Sequence, residues 1–550
     1  MKYTLFKRRG LLLTLGLLLN SCQNEDYNSL NQSSNTVSEK PKISFESINF
    51  NENGKLKLKF AEAFSNALIA NKDLRRLVKE EALKQFDKDY DVLYALVKNQ
   101  SLTPTEYLKT SSNKTSKNLL QKSANALTLR EALLPFFSSE VELLEIEQKL
   151  PLLTIFVPEL PLGYFSAETW DINDETKIPD VALRLTNTND IPVIGKDGNK
   201  YVIEAELTPG FPIVVIKENE RVRINRSSSN KNSKTARLAD VEFIDDNFDP
   251  NASGNNTVIT TTNTIDQVLI DSYNVWVNYA SGCWQRDYIY YGLTPNNTRN
   301  GITYNYREYI TSFKMSGDPK AAFDIISRNA TPADPEPMQV SDYRLGSSSG
   351  WTDGNFEFLI YIYYGSQSSP DGLNDLKGFN AKPSDLFELK YTSYSRGSWP
   401  FKKTYIRTEI VATKNMDFLN PIYNTKLETA TWDLSNYSNR WRIAFEQVDV
   451  PTKSTKTEEM GSKFNVNFEL NAAAGGILEK VGLKFGSSYE QTKSNKFTLE
   501  WTTQSNNLNY SVVPFMDNVV NKDPITGQII PRTYSTGAVE FGLRPVRVQW

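Results

Sequence analysis

Glu204 and Glu206 stand two residues apart in the run Tyr201-Val202-Ile203-Glu204-Ala205-Glu206. If that run is extended, alternate residues share a face, so both carboxylates point the same way. Two carboxylates flanking a scissile bond are the machinery of glycoside hydrolysis. Trp170 and Asp171 are of the right type to join such a site. The competing reading is a solvent-facing strand edge. Carboxylate chemistry needs no imidazole, and the 550-residue chain contains no histidine at all. Ser-His-Asp and Cys-His catalysis are thereby excluded, as are zinc sites built on His.

Two acidic clusters resemble oxygen-ligand sites. Asp87, Asp89 and Asp91 copy the opening of an EF-hand loop, but Val92 stands where the sharp turn needs Gly, and Lys98 where the bidentate Glu should be. Asp240, Glu242, Asp245, Asp246 and Asp249 form a second cluster. It is the candidate for a structural calcium ion, against the alternative of a solvated acidic loop. No other cofactor is expected. The glycines from Gly346 to Gly354 lack the Lys and the following helix of a phosphate loop, and read as a turn before the strand at Phe356.

Aromatic residues gather at Trp276, Trp284, Tyr288, Tyr290, Tyr291 and Tyr304, beside Arg286 and Asp287. Rings with polar neighbours suit a carbohydrate or peptide ligand, and equally suit the core of a β domain. Tyr394, Arg396 and Trp399 are a second candidate of the same kind. With 62 basic and 65 acidic residues the chain lacks the cationic surplus that a nucleic-acid partner favours.

Residues 43–150 read as a helical domain. Phe60, Phe64, Ala67 and Leu68 share a helical face. Leu74, Leu77 and Val78 continue it after a break at Asn71, with Asp73 as a cap. Val92, Leu93, Leu96 and Val97 suggest a third helix, and Leu127–Leu134 and Val141–Leu150 two more, stopped by Pro135 and Pro151. After Pro151 the period shortens to two. A small β-rich domain is expected over 151–250, with a strand at Leu152–Val157 and a hairpin turning at Asp197-Gly198. A β-sandwich-like domain is expected over 257–450, carried by strands at Phe356–Tyr364, Leu386–Tyr391, Tyr405–Ala412 and Trp441–Glu446. A C-terminal β-rich domain fills 451–550. The expected class is α+β, predominantly β: an N-terminal helical bundle followed by antiparallel sandwich-like domains.

The N-terminus carries an address. Lys2, Lys7, Arg8 and Arg9 precede an apolar stretch from Leu11 to Leu19, which ends in Leu19-Asn20-Ser21-Cys22. A basic head, a short apolar core and a small residue before the cut describe a signal peptide, 1–21. The stretch is well below the roughly 20 residues of a membrane span. The Leu-Asn-Ser-Cys end resembles the lipobox of bacterial lipoproteins. The resemblance implies cleavage before Cys22, acylation of that cysteine and attachment to a membrane. Gln23, Asn24, Glu25 and Asp26 are similar to the acidic surface-export signal of Bacteroidetes lipoproteins, which implies the outer membrane with exposure on the cell surface. Residues 22–42, rich in Ser and Asn, would be the tether. With Cys22 acylated, Cys283 is left without a disulfide partner.

In the tail, Phe464, Val466, Phe468 and Leu470 alternate with polar residues, and Phe497, Leu499 and Trp501 do so again after a small-residue stretch at Ala472–Gly476. Over about Lys463–Trp501 this resembles the insertion hairpin of aerolysin-type β-pore-forming proteins. The function expected is a lipid-anchored cell-surface binding or assembly protein without catalytic activity, its ligand a glycan, a peptide or an envelope protein. A carboxylate-dependent glycoside hydrolase and an aerolysin-like pore former are the alternatives.

Overall fold

Asn71 divides one long helical run in two. The computed structural model describes residues 43–102, 127–224, 241–252, 265–279, 284–297, 299–327, 349–364, 375–397, 402–423, 425–434, 436–437, 440–448, 461–470, 483–484, 493–502 and 506–548. All of these belong to one compact unit, Ile43–Trp550. Within it α1 (Glu52–Ala70) buries Leu56, Phe60, Phe64, Ala67 and Leu68 at helical spacing. Its successor α2 (Lys72–Ala82) starts on Asn71, whose side chain accepts from the amides of Asp73 and Leu74. The cap is therefore Asn71 and not Asp73. Further along come a single turn α3 (Tyr94–Val97), α4 (Leu129–Leu133) and α5 (Glu140–Lys149).

These helices lie beside a six-stranded sheet. Its strands are β1 (Asp91–Leu93), β2 (Leu153–Phe156), β3 (Asp180–Leu183), β4 (Ile191–Ile194), β5 (Lys200–Ile203) and β7 (Ile213–Glu218), in the order β1-β2-β7-β3-β4-β5. Every pair is antiparallel except β3 with β7. α1 packs on β3, β4 and β7, and α3 on β2; β2 and β3 are buried along their whole length. Val92 and Leu93, helical by sequence pattern, are in β1, opposite Ile155 and Thr154. Pairing with a buried neighbour outweighs local preference there. The Asp197-Gly198 turn joins β4 to β5 as expected, with Gly198 at φ +81°. A two-residue strand β6 (Thr208–Pro209) leaves this sheet for another.

The second half begins with helices the sequence pattern did not announce: α6 (Gln267–Tyr279), α7 (Gln285–Tyr291) and α8 (Pro319–Ser327). The main strands of this half are β8 (Tyr306–Met315), β9 (Phe356–Tyr363), β10 (Asp375–Ala381), β11 (Phe387–Arg396), β12 (Lys403–Thr413) and β13 (Asn415–Asp417). They continue with β14 (Arg440–Val448), β15 (Gly461–Leu470), β16 (Lys493–Thr502), β17 (Asn506–Pro514), β18 (Thr533–Ser535) and β19 (Val539–Arg547). One sheet runs β13-β8-β19-β18 and another β10-β9-β14-β17. Phenylalanines interleave between them: Phe313 of β8 meets Phe358 of β9 at 4.9 Å between ring centres and Phe445 of β14 at 5.8 Å, and Phe445 meets Phe541 of β19 at 4.9 Å. Two antiparallel sheets with a shared apolar core make a β-sandwich. The fold is α+β and predominantly β. Among the described residues no helix is long and apolar enough to cross a membrane.

Candidate functional site

The long β11–β12 hairpin forms a small sheet of its own with β6 and reaches the six-stranded sheet at Asp180 of β3 and Tyr201 of β5. Its register sets Thr392 opposite Arg407, Tyr394 opposite Tyr405, and Arg396 opposite Lys403. Strand alternation then puts all six on one face. β6 stitches that hairpin down, with Thr208 opposite Ile406 and Pro209 opposite Tyr405. The next residue is Gly210, whose amide donates to the Thr404 carbonyl at 2.9 Å. A Cβ there would come within 2.9 Å of the Thr404 methyl, so the close approach needs glycine.

Lys403 is the pin. Its ammonium sits 2.5 Å from Asp180 Oδ2 and donates to the Tyr201 hydroxyl at 2.8 Å. Tyr201 in turn donates to Asp180 Oδ2 at 2.6 Å. The same ammonium lies 4.0 Å from the centre of the Tyr201 ring and 4.7 Å from that of Phe211. Burial, and then the neighbouring Asp180 carboxylate, hold the Tyr201 hydroxyl well above the usual phenol range. Phe211 meets Tyr405 edge-to-face at 5.8 Å.

Outside this pin lies a more open set. The Arg396 and Arg407 guanidiniums each stand 5.4 Å from the centre of the Tyr394 ring. Arg396 Nη1 is 3.5 Å from Glu204, and Arg407 Nη2 is 3.7 Å from Glu206. Their side chains are 43% and 62% exposed, those of the glutamates 25% and 30%. Ion pairs this open and this long contribute at most about 1 kcal/mol. Burial pushes Tyr405 up to about 12 and Tyr394 upward as well. Among the described residues the Tyr394 hydroxyl has no hydrogen-bond partner.

Two candidates that were separate in the sequence are thus neighbours in space: the Glu204/Glu206 pair, and Tyr394 with Arg396. Trp399 lies outside the described residues. Each glutamate faces an arginine, not the other glutamate. Trp170 does not join them, since it is buried against Phe165 in the first core, and Asp171 caps its own turn by accepting from the Asn173 amide. What the sequence reading lacked was Lys403, Asp180 and Arg407. For Lys403 and Arg407 the only local signal was a strand alternating cations with Tyr405, and Asp180 had none.

The aromatic cluster at 276–291 goes elsewhere. Arg286, Tyr290 and Tyr291 are buried in the sandwich core and offer no open stacking face. Arg286 Nε donates to Glu308 at 2.9 Å, and its Nη1 to the carbonyls of Pro514, Phe515 and Asp517. The guanidinium lies 4.9 Å from the centre of the Trp432 ring, which stacks on Trp441 at 3.7 Å. Tyr291 donates to the Trp432 carbonyl at 2.9 Å. Trp276, Trp284 and Tyr288 are partly exposed. Trp276 packs on Tyr273 at 5.9 Å, the Trp284 amide donates to Asp287, and Trp284 and Tyr288 edge the core.

In the acidic cluster Glu242 pairs with Arg223 at 3.0 Å. Asp245 and Asp249 accept from the backbone amides of Asn247 and Asn251, while Asp246 is exposed. Burial raises Asp245. Asp240 lies outside the described residues, as does Cys22. Among the described residues no group of three or more acidic or thiol side chains is arranged to hold a metal ion. No protein-family model, curated protein or solved structure matches this chain.

Proposed function

We propose that this is a lipid-anchored protein of the cell surface that binds a glycan on the patch where the β11–β12 hairpin meets the six-stranded sheet. Anchoring at Cys22 rests on the leader and its Leu-Asn-Ser-Cys end. The observation that carries the binding site is the convergence of Glu204, Glu206, Tyr394, Arg396 and Arg407, from segments almost 200 residues apart in the chain, onto one partly open surface. A sugar hydroxyl donates and accepts at once. Guanidinium and carboxylate side by side supply both complements. With Lys403 and Asp180 the patch holds three cations and three carboxylates, which favours a neutral polyhydroxyl ligand over a charged one.

The test is a glycan array probed with the mature chain, followed by calorimetry on any hit. Arg396→Ala and Glu204→Gln should each weaken binding by about tenfold, the equivalent of one lost charge-assisted hydrogen bond. Thermal stability should barely change, because open ion pairs contribute so little. An array without hits, with capture of a peptide or an envelope protein instead, would remove the glycan. Release of new reducing ends would replace binding with hydrolysis. Cys22→Ala should move the protein from the membrane fraction to the soluble one.

A second reading is supported by the β15–β16 hairpin. Its arms pair without a break from Gly461 opposite Thr502 to Leu470 opposite Lys493. Ten residues is the length of a membrane-spanning strand, about 9–11. The register sets Phe464 opposite Leu499 and Val466 opposite Phe497, and sets Lys463 opposite Glu500 and Asn465 opposite Thr498. A strand between lipid and water offers one apolar face; here one register face is polar or small throughout, and the other sets apolar against apolar at these two pairs, with Ser462 opposite Trp501. Toward the turn Phe468 and Leu470 stand opposite Asn495 and Lys493. Dye release from liposomes tests this reading, and release at background level removes it.

A further inference from the structure

Asp87, Asp89 and Asp91 fold inward at the start of β1 instead of ringing a cation. Asn219 donates to Asp87 Oδ2 at 2.6 Å and to Asp91 Oδ2 at 3.2 Å. From β7, Lys217 reaches Asp91 Oδ2 at 3.2 Å and Glu220 Oε1 at 2.6 Å. Arg221 reaches Glu357 of β9 at 2.5 Å and Asp89 at 3.0 Å, and donates to the Asp87 carbonyl at 2.7 Å. The turn that leads into β9 is held by the same groups. Arg184 of the loop after β3 pairs with Asp353 at 2.8 Å, Lys217 donates to the Asp353 carbonyl at 3.1 Å, and the Asn355 amide donates to Asp89 at 2.9 Å. This polar layer therefore fastens the sandwich to the six-stranded sheet.

The layer is unbalanced. Asp87, Asp89, Asp91, Glu220, Asp353 and Glu357 are six carboxylates against three cations, Arg184, Lys217 and Arg221. Two more cations stand at its rim: Lys88 donates to the Asn247 carbonyl, and Lys382, paired with Glu159 at 2.9 Å, also acts on Asp89. All but Asp353 of these six acids and three bases are buried. Among the described residues Asp91 Oδ1 has no hydrogen-bond partner. Lys217 and Asn219 serve only its other oxygen, and three cations cannot neutralise six buried or half-buried carboxylates, so an acid in excess is cheaper to keep protonated than charged. Burial holds Asp91, Glu220 and Glu357 above the ordinary carboxylate range, despite the pull of Lys217 and Arg221.

We propose that this layer is a proton-loaded joint: the turn 353–357 stays docked on the six-stranded sheet while the surplus carboxyls carry protons, and loosens as rising pH removes them. The sign follows from the direction of the shifts. A carboxyl that binds its proton more tightly when docked gives stability that is complete at low pH and drains away above the ordinary carboxylate range. This device is independent of the glycan site.

Hydrogen exchange on the full mature chain in detergent, from about pH 5 to about pH 9 and corrected for the intrinsic rate, reads it directly. Opening of 353–357 and 87–91 should rise by up to about tenfold per pH unit for each proton released, while β8 and β19 keep their protection. Asp91→Asn, which keeps the shape of the neutral acid, should flatten the slope by about one proton. An unchanged slope in that variant would overturn the proposal. So would a wild-type opening that ignores pH or rises equally in β8, and this measurement stands even if the variant does not fold.

Discussion

Replacing Glu446 by Gln should make the protein less sensitive to alkali, by an amount the structure sets. Glu446 is on β14, opposite Leu359 of β9, and only 2% exposed. Tyr361 donates to its carboxyl, and Oε1 has no hydrogen-bond partner among the described residues. Burial pushes this acid from 4.5 up to about 7. The folded chain therefore takes up a proton that the unfolded chain has already lost, so stability is full below the lower value and falls as pH climbs to the higher one. A gap of about two and a half pH units, at about 1.4 kcal/mol each, is a loss of about 3 kcal/mol between pH about 4 and pH about 8. Gln cannot titrate, so that loss should vanish. Its amide must find a partner of its own, which lowers stability by about 1 kcal/mol at every pH and adds no pH dependence. The assay is guanidinium unfolding followed by tryptophan fluorescence at a series of pH values, with variant and wild type side by side. Identical slopes would refute the reasoning, because they would mean that the wild-type carboxyl is ionised in the folded state at neutral pH.

Three further expectations concern the frame. Arg286→Met should cost about 3–5 kcal/mol, because it leaves Glu308 charged and wholly buried; thermal melting measures it, and adding Glu308→Gln should recover part of the loss. Gly354→Ala should cost about 2 kcal/mol or more, since the residue sits at φ +82° and a Cβ would strike the Asp89 carboxylate and come within 2.9 Å of Phe156; an unchanged melting temperature would contradict that packing. Asn71→Ala should cost about 1 kcal/mol by stripping α2 of its cap, seen as lowered helical signal and earlier melting.

Local chemistry was readable wherever neighbours along the chain decide the outcome. The Asp197-Gly198 turn, the buried strand at Leu153–Phe156, the strand at Phe356–Tyr363 and the helices on either side of Asn71 all follow from turn residues and apolar periods. The absence of histidine and the lipobox-like end at Cys22 are likewise properties of the sequence alone. Distance along the chain hid the rest. Glu204 meets Arg396 across 192 residues, and Arg221 meets Glu357 across 136. An ion pair between remote segments leaves no periodic trace in either one. Asp87, Asp89 and Asp91 could be compared only with a calcium loop until Lys217, Asn219 and Arg221 were seen among them. The aromatics from Trp284 to Tyr291 show the same limit, because whether a ring faces solvent or core depends on what packs against it, and here Glu308, Trp432 and Phe515 do.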